Sequence, residues 1–203
     1  MDNNDATVML GAAELGRAVR SVLPARSKDF AIPVLMGLHL WVEGEDLWVE
    51  ATNRYTIARH RVGISTHEGG TFDAVIDAAG ADQLAKLLPK RDAGHVTLRL
   101  GDWVSVELAS GMGARLLLAE GDYPNLAKLF LLEARQDDVP ATVAWDVRRL
   151  DEVLKCVKAL DPKGGPRFNM TPGAGRRQHG LTVVTLPGWE GWSAMTMPLR
   201  IDS

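Results

Sequence analysis

Apolar residues follow two periods along this chain, and the order of these periods repeats. Stretches in which every second residue is apolar predict strands, and stretches with apolar residues three or four positions apart predict helices. The first unit has a strand at 7–10, a helix at 12–23 and strands at 34–42, 46–52 and 55–62. The helix places Leu15, Val19 and Val22 on one face.

The same order returns twice more. The second unit predicts a strand at 72–76, a helix at 77–88 and strands at 96–100, 103–108 and 114–119. The third predicts a strand at 141–145, a helix at 147–160 capped by Asp146, and strands at 167–171, 181–186 and 193–201. All three helices end near a Leu-Pro or Leu-Asp-Pro sequence, because proline disfavours helix in the residue before it. The chain therefore predicts three βαβββ units of roughly 60 residues each.

These units predict an α+β fold. One helix with three or four strands cannot close a core alone, whereas two such units can pair, with two sheets stacked and both helices covering one face. We expect residues 1–130 to form one complete domain, residues 131–140 to be a linker, and residues 141–203 to form half of a second domain.

Composition and charge are those of an ordinary globular protein. The chain is 46% hydrophobic with a net charge of −3, and it contains no apolar run long enough to span a membrane. Its acidic, polar start does not resemble a secretory signal. The single cysteine, Cys156, excludes an intrachain disulfide and a cysteine metal cluster. We expect a cytoplasmic protein.

Catalytic patterns are missing from the sequence. The five histidines are scattered without metal-ligand spacing, and no carboxylates cluster as a metal-dependent nuclease requires. The glycine-rich stretch at 173–180 lacks the Lys-Ser/Thr of a phosphate-binding loop and precedes a strand, so it is predicted to be a hairpin loop. We expect a protein that is not an enzyme and that binds neither cofactor nor metal.

Positive charge gathers on the predicted helices and their ends. A basic face made by all three helices would suit contact with phosphates of any sequence, although such a face is often only solubilising. The residues expected to face nucleic acid are Arg17, Arg20, Arg26, Lys28, Lys86, Lys90, Arg91, Arg148, Arg149, Lys155 and Lys158.

Three segments together carry a resemblance. They are 32–40 (Ile-Pro-Val-Leu-Met-Gly-Leu-His-Leu) with 47–58 (Leu-Trp-Val-Glu-Ala-Thr-Asn-Arg-Tyr-Thr-Ile-Ala), 121–129 (Gly-Asp-Tyr-Pro-Asn-Leu-Ala-Lys-Leu) and 195–201 (Met-Thr-Met-Pro-Leu-Arg-Ile). In this order, they resemble the bacterial DNA polymerase III β subunit, the replication sliding clamp. That family has Ala-Thr-Asp-Gly-x-Arg-Leu-Ala and Gly-x-Phe/Tyr-Pro-Asp in its middle domain and ends in Met-Pro-x-Arg-Leu.

The resemblance covers most of the chain but only part of a clamp. Residues 1–130 resemble the middle clamp domain, and residues 140–203 resemble the second half of the last domain. It implies a DNA-clamp fold, a ring that encircles duplex DNA, and an apolar groove in which the replicative polymerase and other partners dock short peptides. The groove residues that it implies are Leu35, Thr52, Arg54, Tyr55, Thr56, Ile57, Pro124, Lys128, Leu129, Met195, Thr196, Met197, Pro198, Leu199 and Arg200.

The sequence departs from the family at several groove positions. Asn53 and Arg54 replace the family's Asp-Gly, Thr56 replaces an arginine and Ile201 replaces a leucine. These changes place bulk and charge beside the groove and leave its peptide preference open.

Two functional interpretations follow from the resemblance. The first is a shortened clamp that forms a homo-oligomeric ring. A tetramer is the simplest ring because a family ring contains twelve βαβββ units, but a trimer or dimer is possible. The alternative is a clamp-derived module that binds or sequesters partner peptides without encircling DNA.

Overall fold

The computed structural model describes residues 5–126, 129, 143–172 and 179–199. Within them it has three α-helices: α1 Ala12–Val22, α2 Ala78–Leu87 and α3 Val147–Leu160. Short 3-10 helices cover Leu23–Ala25 and Pro33–Met36. The strands are β1 Ala6–Gly11, β2 Leu38–Glu43, β3 Asp46–Thr52, β4 Thr56–Gly69, β5 Asp73–Ile76, β6 His95–Leu100, β7 Val104–Leu108, β8 Gly113–Leu116, β9 Arg167–Pro172, β10 His179–Thr185 and β11 Trp192–Thr196.

Eight strands of the first two units form one antiparallel path, in the order β5-β2-β3-β4-β1-β6-β7-β8. The chain after β8 then returns to β5, where Leu118 forms a bridge with Ile76 and Asp77 N–H donates to Leu117 at 2.9 Å. The two ends of the path are thereby joined. Such closure satisfies backbone groups that an edge strand would expose.

The long strand β4 connects all three units. Its first half pairs with β3, and its second half pairs with β1. Strand β11 of the third unit pairs with the first half of β4 from the other side, in a register that places Met195 opposite Ile57. Strands β10 and β9 extend the sheet beyond β11. The third unit therefore continues the sheet of the first.

Alternation along the strands separates a core face from an outer face. Leu47, Val49 and Ala51 on β3 are fully buried in the core. On β4, His60 points towards the helices, since its Nδ1 lies 3.0 Å from Ser21 Oγ of α1. Because successive strand residues point to opposite faces, Ile57 and Arg59 belong to the outer face.

The helices lie together against this core. Helix α1 contacts both α2 and α3, and its buried residues include Leu15, Val19 and Val22 as its periodicity predicts. Asp77 caps α2 by accepting from Gly80 N–H at 2.6 Å, and Asp146 caps α3 by accepting from Arg148 N–H at 2.9 Å. These caps satisfy donors that the first helical turn leaves without partners.

Most predicted elements are confirmed, and several boundaries are wrong. Helix α3 and strand β3 have the predicted limits. The strand predicted from residue 34 begins only at Leu38, since Pro33 starts a 3-10 turn. The predicted strand at 141–145 is not present in its described part, 143–145, and the predicted last strand ends at Thr196. Strand β4 runs to Gly69, seven residues beyond its predicted end at 62.

Candidate functional site

The turn before β4 is fixed by a hydrogen-bond network that reaches helix α3. Asn53 Oδ1 accepts from the N–H groups of Tyr55 at 3.1 Å and Thr56 at 2.8 Å. Asn53 Nδ2 donates to Glu152 Oε2 at 2.7 Å, and Thr56 Oγ1 donates to the same oxygen at 3.0 Å. Between them, Arg54 has a φ of +76°, in the left-handed region. The family that the sequence resembles has glycine at this position, and glycine adopts that conformation freely.

Tyr55 is presented on the surface by this turn. The guanidinium carbon of Arg149, on α3, lies 3.3 Å from the centre of the Tyr55 ring. Such a cation–π contact orients the ring, and the guanidinium carbon of Arg54 lies 5.8 Å from the same ring centre. The Tyr55 carbonyl accepts from Met197 N–H at 3.0 Å, which ties the turn to the segment after β11.

Three large apolar side chains are exposed around this junction of β4 and β11. Tyr55, Met197 and Leu199 are 43%, 46% and 45% exposed. The Leu199 N–H donates to the Ala144 carbonyl at 2.8 Å, which fixes the end of this segment. The junction therefore presents apolar side chains on a hydrogen-bonded backbone, an arrangement suited to a peptide with apolar anchors.

The other predicted groove residues divide into buried and peripheral sets. Leu35, Thr52, Ile57 and Met195 are nearly inaccessible, and the last three lie side by side on β3, β4 and β11. Thr56 and Thr196 are fully buried, and the Thr56 hydroxyl is directed to α3. Arg54 and Pro124 are exposed, whereas Pro198 and Leu129 are half-buried. Lys128 and Arg200 lie outside the described residues.

Six of the eleven basic residues expected to face DNA have partners within the chain. Arg17 lies 3.9 Å from Glu14, Arg26 pairs with Asp82 at 2.7 Å, Arg148 pairs with Asp146 at 2.8 Å and Lys155 pairs with Asp151. Arg149 covers Tyr55, as described above. The pair with Arg148 lowers the pKa of Asp146 to about 2.

Arg20 is the sixth of these residues, and its partners are backbone groups. Its guanidinium donates to the carbonyls of Ala85, Leu88 and Pro89 at 3.2, 3.1 and 3.0 Å. Burial lowers the pKa of Arg20 below its usual value. Since the last carbonyls of a helix lack intrahelical donors, Arg20 closes the end of α2.

Five basic residues remain available on the surface. Among the described residues, none forms an ion pair or hydrogen bond with Lys28, Lys86, Lys90, Arg91 or Lys158. All five are exposed. They are the cations of the predicted basic face that could meet phosphates without first losing another contact.

A pocket on the outer face was not anticipated from the sequence. It has a volume of about 450 Å³, and its walls include His39, Trp41, Glu50, Arg59 and Tyr123. The signal was present in β2 and β3, where the outward positions of otherwise apolar alternations hold histidine, tryptophan and glutamate. Their convergence depends on the pairing of β2, β3 and β4.

The described residues contain no group of three or more histidine, cysteine or acidic side chains placed to hold a metal ion. Cys156 is buried in α3, and burial raises the pKa of its thiol.

No helix in the described part of the chain has the length and apolarity to cross a membrane.

The fold and the junction of β4 with β11 define the class of protein: the chain has the fold of a DNA sliding clamp. In particular, it is similar to DNA polymerase III β subunits. It matches the Thermotoga maritima β subunit with a TM-score of 0.72 and 13% identity, over 97% of this chain and 65% of that one. It matches the Bacillus subtilis sliding clamp with a TM-score of 0.71 and 16% identity, over 97% and 64%.

A third match is the Pseudomonas aeruginosa sliding clamp bound to griselimycin, with a TM-score of 0.68 and 15% identity, over 96% of this chain and 65% of that one. This chain thus spans slightly less than two thirds of these structures. No family model and no curated protein matches its sequence.

Proposed function

We propose that this protein is a sliding-clamp processivity factor without catalytic activity, which encircles duplex DNA as a homo-oligomeric ring and docks peptides of the polymerase and other partners. The observation that carries the proposal is the pairing of β11 with β4, with Met195 opposite Ile57. This pairing joins the third unit to the first at the place where apolar side chains are exposed. The similar structures are named as polymerase subunits or sliding clamps, which supports a role in replication.

The ring requires several copies of the chain. One copy spans only 64–66% of the similar structures. It supplies two βαβββ units and a third unit whose first strand is not present in its described part, 143–145, in a fold that we expect to pair its units. We propose that residues 1–130 form a complete clamp domain and that residues 141–203 form a half domain, which another copy completes. Residues 131–140 then link the domain to the half domain. Strand β9 supports this arrangement, since β10 is its sole strand partner among the described residues.

The five available cations support sequence-independent contact with duplex DNA. Lys28, Lys86, Lys90, Arg91 and Lys158 lie on or beside the three helices. Contacts of this kind release counterions and fix no base sequence, so they let a ring slide.

The groove proposal rests on Tyr55, Met197 and Leu199. Methionine and leucine adapt to different apolar anchors, and a tyrosine ring supplies contact area with little loss of conformational entropy. Met195 and Ile57 beneath them form a packed base.

Topological retention on DNA tests the ring. The protein, loaded onto closed circular plasmid, should remain bound through gel filtration in high salt and should be lost when one restriction cut linearises the plasmid. Light scattering should show a multimer, with a tetramer favoured. Equal loss from circles and linear DNA, together with a stable monomer, would contradict the ring and favour a peptide-binding module that does not encircle DNA.

Peptide binding tests the groove separately. A fluorescent peptide from the replicative polymerase, carrying two adjacent apolar side chains, should bind the wild type. The double variant Met197→Ala, Leu199→Ala should bind at least tenfold more weakly, because burial of two large apolar side chains contributes roughly this much or more. Met112→Ala is the matched control, since Met112 is also exposed but lies in the turn between β7 and β8. Unchanged affinity in the double variant would contradict the groove.

A further inference from the structure

The pocket on the outer face holds a buried carboxylate and two buried polar atoms without a hydrogen-bond partner among the described residues. Glu50 is only 3% exposed, and it lies opposite Arg59 of β4, whose charge acts on the Glu50 carboxylate. The Tyr123 hydroxyl and His39 Nδ1 are buried and have no hydrogen-bond partner within the described part of the chain. Buried polar atoms are nearly always hydrogen-bonded, so two at one site beside a buried carboxylate point to a ligand site.

The protonation of His39 defines what this ligand must supply. His39 Nε2 lies 2.8 Å from Asp73 Oδ1, and a carboxylate can only accept there. Burial lowers the pKa of His39, which keeps the ring neutral. The Nε2 atom therefore carries the proton, and the unpartnered Nδ1 presents a lone pair. The lone pair of His39 Nδ1 and the oxygens of the Glu50 carboxylate accept hydrogen bonds, so a fitting ligand must donate several.

The charge of the pocket favours a positive ligand. Its walls carry four acidic residues, Glu43, Glu50, Asp73 and Asp122, against the single cation Arg59. The Arg59 guanidinium is held 4.8 Å from the Trp48 ring centre. Burial raises the pKa of Glu50 to about 7, and the charge of Arg59 opposes this rise without cancelling it. A second cation would therefore be stabilised beside Glu50.

The aromatic walls favour a flat or alkyl-stemmed cation. The Trp41 ring stacks on His39 with centres 4.6 Å apart, and the Tyr123 ring lies at the same distance from His39. Guanidinium and ammonium groups bind well against such rings. The volume of about 450 Å³ admits one long side chain with water. A metal ion is a poor alternative, because the described residues offer no cluster of three metal-ligating side chains.

We propose that this pocket binds the guanidinium or ammonium group of a basic side chain from a protein partner docked on the outer face of the sheet. The partner is indicated by continuity with the groove. Ile57 and Arg59 lie on the same face of β4 two residues apart, a separation of about 7 Å, and Pro124 belongs both to the predicted groove and to the pocket wall. The protein source of the side chain rests on the proposed peptide docking, whereas the recognition of the cation does not.

Small amides isolate that recognition. N-acetyl-arginine methylamide should give saturable shifts of the Trp41 indole N–H resonance, assigned with Trp41→Phe, with a Kd in the low millimolar range that one anchored side chain typically provides. The citrulline amide has the same shape but no charge, and it should bind at least tenfold more weakly. Glu50→Gln should weaken binding of the arginine amide at least tenfold. Tyr123→Phe, which keeps the ring, should weaken it about threefold to tenfold, as loss of one hydrogen bond does.

Two controls keep this result separate from the proposed function. Glu68→Gln, an exposed glutamate at the far end of β4, should leave the Kd unchanged. The double variant Met197→Ala, Leu199→Ala should also bind the arginine amide normally, because the groove is not needed. Equal binding of the arginine and citrulline amides, no effect of Glu50→Gln, or no saturation at any soluble concentration of the arginine amide would each overturn the proposal.

Discussion

The side-chain amide of Asn53 donates to the Glu152 carboxylate at 2.7 Å, and this bond joins the turn before β4 to helix α3. It gives a physical reason for one departure from the sliding-clamp pattern. The family's aspartate at this position would place a second carboxylate within hydrogen-bond distance of Glu152. Asparagine keeps the oxygen that caps the turn and adds the donor that Glu152 requires.

The first prediction concerns this pair. Asn53→Asp should lower the free energy of unfolding at pH 7.5 by about 2 kcal/mol, since a partly buried hydrogen bond is replaced by like-charge repulsion. Adding Glu152→Gln should restore most of that loss, because the glutamine amide can donate to the new carboxylate. Urea unfolding measures both values. Asn169→Asp, at an exposed position, is the control. A double variant no more stable than Asn53→Asp alone would refute the pairing.

The second prediction concerns the positive φ of Arg54. Arg54→Val should destabilise the protein by about 1 to 2 kcal/mol, because a β-branched side chain is strained at a φ of +76°. Arg54→Gly relieves the strain but gains entropy in the unfolded chain, so it should stay within about 1 kcal/mol of the wild type. Thermal unfolding of both variants would measure the difference. Equal stability of the valine and glycine variants would show that this backbone conformation is not maintained.

The third prediction separates structural from DNA-facing arginines. Arg20→Ala should lower the free energy of unfolding by about 2 to 3 kcal/mol, because three carbonyls at and just after the end of α2 lose a charged donor. Lys90→Ala should change stability by less than about 0.5 kcal/mol, since Lys90 is exposed and unpaired among the described residues.

DNA binding should respond to Lys90→Ala, although stability does not. Lys90→Ala should reduce the slope of log affinity against log salt concentration by about 0.9, the value of one lost phosphate contact. A salt titration with duplex DNA measures this slope. A destabilised Lys90→Ala with an unchanged slope would contradict the assignment of Lys90 to the DNA face.

The fourth prediction concerns acid stability. Burial, aided by the charge of Arg17, lowers the pKa of His60 to about 4 from 6.5. A histidine whose pKa is lower in the folded protein stays neutral there at a pH at which the unfolded chain already takes up a proton. The contribution of His60 to the free energy of unfolding is therefore present above pH 6.5 and is lost as the pH falls towards 4. The loss is about 3 kcal/mol in total.

A variant without the titrating ring isolates this effect. His60→Asn should remove this part of the pH dependence while keeping a donor towards Ser21 Oγ, which itself donates to the Ala18 carbonyl. His95→Asn, at an exposed position, is the control. Urea unfolding between pH 4 and 7 provides the measurement. An identical pH profile for wild type and His60→Asn would exclude His60 as the source.

The sequence predicted much of the fold because its signals are local. Periodicity and proline placed all three helices, and Asp146 was correctly predicted to cap α3. The resemblance in three short segments indicated the sliding-clamp fold, which the structure confirms. It also indicated a groove around Tyr55, Met197 and Leu199, which the structure brings to one junction, although their binding role remains a prediction.

The functions of individual charged side chains could not be predicted in this way. Arg20 and Lys90 look alike in the sequence, but only the packing of α1 against α2 shows that Arg20 closes a helix end. Likewise, Glu50 and His39 are ordinary strand residues until β2 and β3 pair. Their pocket then depends on Tyr123, which lies more than seventy residues further along the chain.

The sequence by itself determined the order of most helices and strands, the repeat of the βαβββ order in the first two units and the class of fold, because hydrophobic period and turn chemistry act over a few residues. The tertiary structure decided which cations are available, how the third unit continues the sheet of the first, and where a pocket lined by acidic residues forms. These properties depend on distances between residues far apart in the chain, which only the packed fold fixes.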